Sequence, residues 1–240
     1  RKNYTFDVGA TQVAGLEKGG IHSKIFDFLE VAPPEATILD PSCIVDLNDG
    51  NKPIPIWYEE NDWILEREMQ FPGSGKFWRL CSLIHQSNWT FANKNPILPF
   101  NNFWDFSQLL RALSPSNLLT GILLKSTVFD LLRICGLSTN DRLIKFLNLQ
   151  LKLYSQEDVY NTAALYGSTV LQMCQKPHGL WHLKKSMQSL SEALENSLHK
   201  TGANIIFGQK VDSIVSDNLN KCWKVFAKSK KCVFEYSANN

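Results

Sequence analysis

Hydrophobic positions recur with a helical period through the middle of the chain. Between residues 21 and 29 apolar side chains are spaced by three and four positions, which predicts a helix over about 20–30 that ends before Pro33-Pro34. From about 60 to 175 the same period continues between Gly- and Pro-containing breaks, and it predicts roughly six further helices. The central part of the protein is therefore expected to be mainly helical.

Short runs of β-branched residues lie on both sides of this helical body. Within 37–57, three such runs surround the turn cluster Asn48-Asp49-Gly50-Asn51, which predicts a hairpin-like patch. A last helix is predicted at about 181–200, closed by Thr201-Gly202, and strand runs follow it. Residues 1–13 also have an extended pattern. The predicted fold class is α+β, with a mostly helical body and a small sheet.

Composition and charge narrow the classes of function. Of the 240 residues, 44% are apolar and 20% charged, which is typical of a globular protein. The 25 Lys and Arg residues nearly balance the 23 Asp and Glu residues, so nucleic acid is not an expected partner. The six cysteines form no C-x-x-C pair, which favours free thiols and a cytoplasmic location.

Few motifs carry recognisable chemistry. The segment Gly73-Ser74-Gly75-Lys76 has part of a phosphate-binding pattern, but Gln70 and Phe77 replace the glycine and the hydroxyl residue that this pattern needs, so a turn is predicted. His178 and His182 have i, i+4 spacing, yet no third ligand can be named and no metal site is predicted. No nucleophile or acid–base signature is present in the sequence, so the catalytic residues are left unassigned.

Two separated segments resemble one known family. The first is FDVGAT at 6–11, and the second is 177–215, which has a proline-glycine turn, a leucine-bearing helix and then Gly202-Ala203. In this order and spacing they resemble the carotenoid desaturases and isomerases, which are phytoene desaturase-like, FAD-dependent enzymes of the amine-oxidase superfamily. The runs at 146–156 and 186–190 look most like the cyanobacterial-type desaturases that act at the 3′,4′ position.

The resemblance implies specific contacts with FAD. The family's F-D-x-G-x-[ST] strand passes beside the flavin, so Asp7, Gly9 and Thr11 are expected to bind the cofactor, and Val211 is expected on a strand that faces the adenine. Gly9 and Val211 are expected on neighbouring strands of one sheet. Glycine also suits a strand that must approach a flat ring closely. A glycine bulge at a strand end remains the alternative explanation for Gly9.

The resemblance also implies a division of roles along the chain. Residues 1–20 and 178–240 are expected to be parts of a Rossmann-like FAD-binding domain, and 21–177 the substrate-binding domain. The glycine fingerprint that places a pyrophosphate at a helix N-terminus is not in this sequence, so we expect a fragment that binds FAD poorly by itself. Enzymes of this kind act on a long apolar polyene, and because the flavin performs the hydride transfer, they need no conspicuous acid–base residues. The sequence does not distinguish a desaturase from a cis-trans isomerase.

A second interpretation comes from a different class of protein. Aromatic residues are dense between Phe71 and Phe106, where they could line an apolar cavity or fill the contacts between helices. The chain could thus be a non-catalytic module that binds an apolar ligand or a membrane surface. No uninterrupted apolar run is long enough to span a bilayer, so contact with a membrane is expected to be peripheral.

Overall fold

The computed structural model describes residues 9–217, 222–230 and 232–239. The chain divides into two compact units, Arg1–Ser189 and Leu190–Asn240. Helices and small antiparallel sheets together give an α+β fold, which confirms the predicted class. The assignment of chain segments to cofactor and substrate domains stays a prediction.

The described part of the first unit is mainly helical. Its elements are, in order, α1 (Ile21–Phe28), β1 (Ala36–Ile38), β2 (Cys43–Val45), β3 (Ile54–Ile56), α2 (Glu60–Gln70), α3 (Gly75–Ala92), α4 (Phe103–Ala112), α5 (Pro115–Gly121), α6 (Val128–Ile134), α7 (Asp141–Ser155), α8 (Ala164–Val170) and β4 (Trp181–Leu183). The helix expected over 20–30 is confirmed as α1. The hairpin is confirmed by β2 and β3, in which Cys43 pairs with Ile56 and Val45 with Ile54.

Seven helices, not six, lie between residues 60 and 170 in the described part of the chain. The short helices α5 and α6 contribute to the difference, because each begins at its own capping residue. The side chain of Ser114 caps α5, and that of Thr127 caps α6 in a capping box with Asp130. Hydrophobic periodicity alone does not reveal such breaks.

The predicted helix at 181–200 begins later than expected. Trp181 to Leu183 form β4, which pairs antiparallel with β1, and α9 starts only at Gln188. Leu183 is buried whereas His182 is exposed, which is the alternation of a strand. Val13 extends this pairing, since its N–H and C=O groups exchange hydrogen bonds of 2.9 and 2.8 Å with Trp181. The start and the end of the first unit are thus joined.

The core of the first unit is formed mainly by α2, α3, α6, α7 and α8. Aromatic rings fill its centre, where Trp63 meets Trp78 edge to face with ring centres 5.5 Å apart and Phe71 lies 5.1 Å from Phe146. These aromatic residues therefore fill contacts between helices. Gly167 of α8 lies against Val128 of α6, so closely that an added Cβ would overlap the valine side chain.

The second unit contains most of α9 (Gln188–Lys200) and a three-stranded antiparallel sheet. The strands are β5 (Lys210–Asp217), β6 (Cys222–Lys228) and β7 (Val233–Asn239), with β6 in the middle. Gly202 follows α9 with a φ of +78°, and its N–H donates to the C=O of His199, which confirms the predicted glycine end of the helix.

Two further expectations from the sequence were that the cysteines are free and that no segment spans a membrane. All six cysteines are free thiols, as predicted. Within the described residues, every helix is too short or too polar to cross a bilayer.

Candidate functional site

A cavity of about 940 Å³ lies within the first unit. It is lined by the loop before α1 and by α1, by one side of α2, by the second half of α3, and by the segment between α8 and β4. Its volume is within the usual range of roughly 300 to 1,000 Å³ for small-molecule and cofactor sites. The cavity is therefore the candidate site in the described part of the chain.

Helix α3 supplies one wall of the cavity. Ser82, His85, Gln86 and Trp89 follow one another at helical spacing, which places them on the same side of the helix. The other side of α3 is buried in the core, which fixes the helix in place. His85 is itself only 6% exposed, although it lines the cavity.

A tight turn before α1 supplies the facing wall. The C=O of Gly15 accepts from the N–H groups of His22 and Ser23, and the N–H of Gly20 donates to the C=O of Glu17 at 2.8 Å. Gly15 has a φ of +83°, and an added Cβ would come within 2.8 Å of the Ile21 side chain, so glycine is required here. This turn holds Glu17 at the edge of the cavity.

The segment between α8 and β4 is fixed by backbone hydrogen bonds. The N–H of His178 donates to Gln175 and that of Gly179 to Met173, both at 3.0 Å. Gly179 has a φ of +83°, and its hydrogen atoms face the side chains of Ile38 and Tyr58 without room for a Cβ. His178 consequently has a defined position opposite α3.

Three polar side chains form a continuous chain of hydrogen bonds in the cavity wall. Oε1 of Glu17 lies 3.0 Å from Nδ1 of His178, and Nε2 of His178 lies 3.1 Å from Nε2 of His85. The indole of Trp89 stacks on the His178 ring with ring centres 5.8 Å apart. The arrangement orients both imidazole rings and connects a carboxylate to a buried histidine.

The electrostatic environment of the two histidines differs. Burial, together with the smaller effect of the adjacent His178, lowers the pKa of His85 from its ordinary 6.5 to about 4. His178 instead contacts the Glu17 carboxylate. His85 is therefore neutral over the physiological pH range.

Several residues that line the cavity have a buried polar atom with no hydrogen-bond partner among the described residues. They are Oε2 of Glu17, Nε1 of Trp63, Nδ1 of His85, Nε2 of Gln172 and Oε1 of Gln175. Buried polar atoms are normally paired, and an unpaired one costs about 1–3 kcal/mol. Such a concentration of unpaired donors and acceptors among the residues that line one cavity is typical of a site whose ligand completes the hydrogen bonds.

Gly9 and Thr11, two of the residues predicted to bind the cofactor, are not among those that line the cavity. Asp7 is outside the described residues. Gly9 and Thr11 are exposed in the first unit and neither belongs to a strand, whereas Val211 is 53% exposed on β5, which pairs with β6. The expectation that Gly9 and Val211 lie on neighbouring strands of one sheet is therefore wrong. An added Cβ at Gly9 would meet nothing within 4 Å, so its φ of +100° explains the glycine within this chain. A role for these four residues in FAD binding stays a prediction.

The sequence patterns did not identify the hydrogen-bonded chain in the cavity. His178 was considered only with His182, but His182 is exposed on β4, and the described residues contain no group of three or more side chains able to hold a metal ion. The partners of His178 are Glu17 and His85, which are 161 and 93 residues away in the sequence. No local spacing could have indicated either partner.

Comparison with known proteins adds no assignment. No family model matches the chain, and no curated protein matches it.

Proposed function

We propose that this chain belongs to an FAD-dependent oxidoreductase that desaturates or isomerises a carotenoid or a similar long polyene. The observation that carries the proposal is a set of contacts between the residues that follow the first family-like segment and the start of the second, beside one cavity. Val13, just after the FDVGAT motif, pairs with Trp181, and Glu17 contacts His178 beside the proline-glycine turn. Glu17 and His178 are 161 residues apart in the sequence. Their contact is a feature of the fold, and the family resemblance was not used to find it.

The chemistry of the cavity wall fits the ring system of a flavin. The polar edge of an isoalloxazine ring carries carbonyl acceptors and an imide donor. The Gln172 side-chain nitrogen is an unpaired donor, and Oε2 of Glu17 and the Gln175 side-chain oxygen are unpaired acceptors, so these residues would hold that edge. When bound, FAD would supply the hydride-transfer chemistry, and the residues of the chain would orient the reactants and exclude water.

A polyene needs an apolar route to such a site. The segment 97–124, which we call the apolar surface, follows the end of α3 and exposes many large apolar side chains. They include Ile97, Leu98, Phe100, Phe103, Trp104, Leu110, Leu118, Ile122 and Leu124. Amphipathic helices with exposed aromatic residues are typical of peripheral contact with a lipid surface, which is where a polyene dissolves.

The charges near the apolar surface favour the same partner. Lys94, Arg111 and Lys125 are basic, and the one carboxylate of the segment, Asp105, is buried and accepts from the backbone N–H of Asn101. The excess of basic over acidic side chains in and beside this segment favours anionic lipid. This surface is also the observation that favours the second candidate, a non-catalytic module that binds a membrane surface or an apolar ligand.

Cofactor binding is tested by titrating the purified chain with FAD up to millimolar concentration and following flavin fluorescence. We expect weak but saturable quenching, and Gln172→Ala should weaken it at least tenfold because the variant removes a donor from the cavity wall. Gln188→Ala, at the exposed start of α9, is the matched control and should bind as the wild type does. Quenching that is equal in both variants would contradict a flavin in this cavity.

Membrane and polyene binding are tested with vesicles that contain anionic lipid and a carotenoid. The wild-type chain should float with the vesicles, and Phe103→Glu should reduce the bound fraction several-fold, because Phe103 is 84% exposed and the change places charge at the lipid contact. Vesicle binding with neither saturable FAD binding nor retention of the polyene would favour the non-catalytic module.

A further inference from the structure

The hydrogen bonds between Glu17, His178 and His85 allow one arrangement of protons when both histidines are neutral. A carboxylate can only accept, so Nδ1 of His178 donates to Glu17. The second ring nitrogen of a neutral imidazole is then an acceptor, so Nε2 of His178 accepts from Nε2 of His85. Nδ1 of His85 is consequently left without a proton.

Nδ1 of His85, the nitrogen without a proton, is the last atom of this chain of hydrogen bonds. Nδ1 of His85 is buried and has no hydrogen-bond partner among the described residues, while the His85 side chain lines the cavity. When Nδ1 of His85 accepts a proton, the proton on Nε2 of His85 can move to Nε2 of His178. His85 remains neutral in this exchange, and the positive charge arrives on His178 beside the carboxylate of Glu17.

We propose that Glu17, His178 and His85 form a proton relay, in which Nδ1 of His85 accepts a proton released in the cavity. The inference rests on the proposed function. Desaturation breaks two C–H bonds on adjacent carbons: a hydride leaves to an acceptor of the flavin class, and a proton leaves while its bonding electrons form the new C=C bond. The relay takes up that proton. Because isomerisation releases no net proton, the relay favours desaturation.

The surroundings of the relay fit this direction of transfer. Other titratable or charged side chains line the cavity from each neighbouring element, namely His22 and Lys24 of α1, Glu60 and Arg67 of α2, and Lys176 before β4. Glu17 is the carboxylate in hydrogen-bond contact with the imidazole pair. The lowered pKa of His85 is consistent with a ring that stays neutral during the transfer.

The proton arrangement can be read directly by NMR. In the chain labelled with ¹⁵N at histidine, long-range ¹H–¹⁵N spectra distinguish the two tautomers and the cation for each ring. At neutral pH we expect a proton on Nδ1 of His178 and on Nε2 of His85. On acidification His178 should become doubly protonated while His85 stays neutral and changes its tautomer to Nδ1–H. Spectra of His85→Gln and His178→Gln assign the signals.

A variant of Glu17 separates a relay from a purely structural contact. Glu17→Gln retains an oxygen that can accept from Nδ1 of His178 but removes the negative charge, so proton uptake by the pair should weaken about tenfold. Glu17→Asp should restore part of the affinity for the proton. A His85 ring that keeps its Nε2 proton while His178 ionises, or a proton affinity that Glu17→Gln leaves unchanged, would overturn the relay.

The NMR result and the proposed activity can fail separately. If FAD and polyene do not bind while the tautomer change occurs, the relay stands and the proposed function fails. In an enzyme that is active with FAD, His85→Gln should lower kcat at least tenfold with little change in KM, because His85 acts on the reacting carbon and not on polyene binding. An unchanged kcat would show that the relay takes no part in the reaction.

Discussion

Acidification should lower the unfolding free energy of the first unit because of His85. Replacing His85 should remove the part of this decrease that His85 causes. The pKa of His85 is lowered from 6.5 to about 4 in the folded protein by burial and by His178. Between these two values the unfolded chain binds a proton that the folded chain does not bind. Protons therefore favour unfolding as the pH falls through 6.5, and the loss levels off below about 4.

The size of the effect follows from the separation of the two pKa values. At about 1.36 kcal/mol for each pH unit, the full interval corresponds to at most about 3.4 kcal/mol of unfolding free energy. Because His85 borders an open cavity where solvent screens charge, we expect about 1–2 kcal/mol of this between pH 7 and 4.5. That amount is a substantial share of the stability of a typical domain.

The assay is urea unfolding of the wild type and of His85→Gln at several pH values between 7 and 4.5. The difference in unfolding free energy between the two proteins should change by about 1–2 kcal/mol in favour of the variant as the pH falls. Glutamine keeps a donor near His178 and so limits other damage. His182→Gln, at an exposed position, is the control and should keep the wild-type pH dependence. A constant difference between wild type and His85→Gln would refute the reasoning.

Two further predictions concern packing and thiol reactivity. Gly167→Ala should destabilise the protein by about 1–3 kcal/mol in urea unfolding, because the new Cβ overlaps Val128. Gly121→Ala, where a Cβ meets nothing within 4 Å, is its control, and an equal loss there would rule out this explanation. An alkylating reagent at pH 8 should modify the exposed Cys232 rapidly, whereas Cys81, which is fully buried and has a pKa raised to about 12 by burial, should react only on unfolding. Peptide mass spectrometry measures both rates, and equal rates would be inconsistent with the burial of Cys81.

Local patterns predicted the parts of the fold that depend on neighbouring residues. Helix α1 and the β2–β3 hairpin were predicted because apolar spacing, Pro33-Pro34 and the Asn48–Asn51 turn act over a few residues. Strand β4 was missed because its partner, β1, is far away in the sequence. The residues of β4 could continue a helical pattern, and only pairing with β1 decides that they form a strand.

The candidate site was harder to predict than the fold for the same reason. Glu17, His85 and His178 come from three distant segments, and none of them has a neighbour in sequence that marks it as functional. Their significance depends on the contact distances and on the burial of His85. The resemblance of the FDVGAT segment and the run at 177–215 to a known family stays a prediction. Glu17 lies after the first of these segments, His178 lies at the start of the second, and His85 lies in α3, in neither of them.

The pairing of β1 with β4 has a consequence for the order of events during synthesis. The cavity wall that contains His178 follows all the helices of the core, and the strand that fastens it to the start of the chain is the last element of the first unit. A ribosome-bound chain that ends before Trp181 can assemble its helical core but cannot close this wall. Because contacts of such long range form slowly, the cavity should mature after the core, and nascent chains should gain protease resistance in two stages.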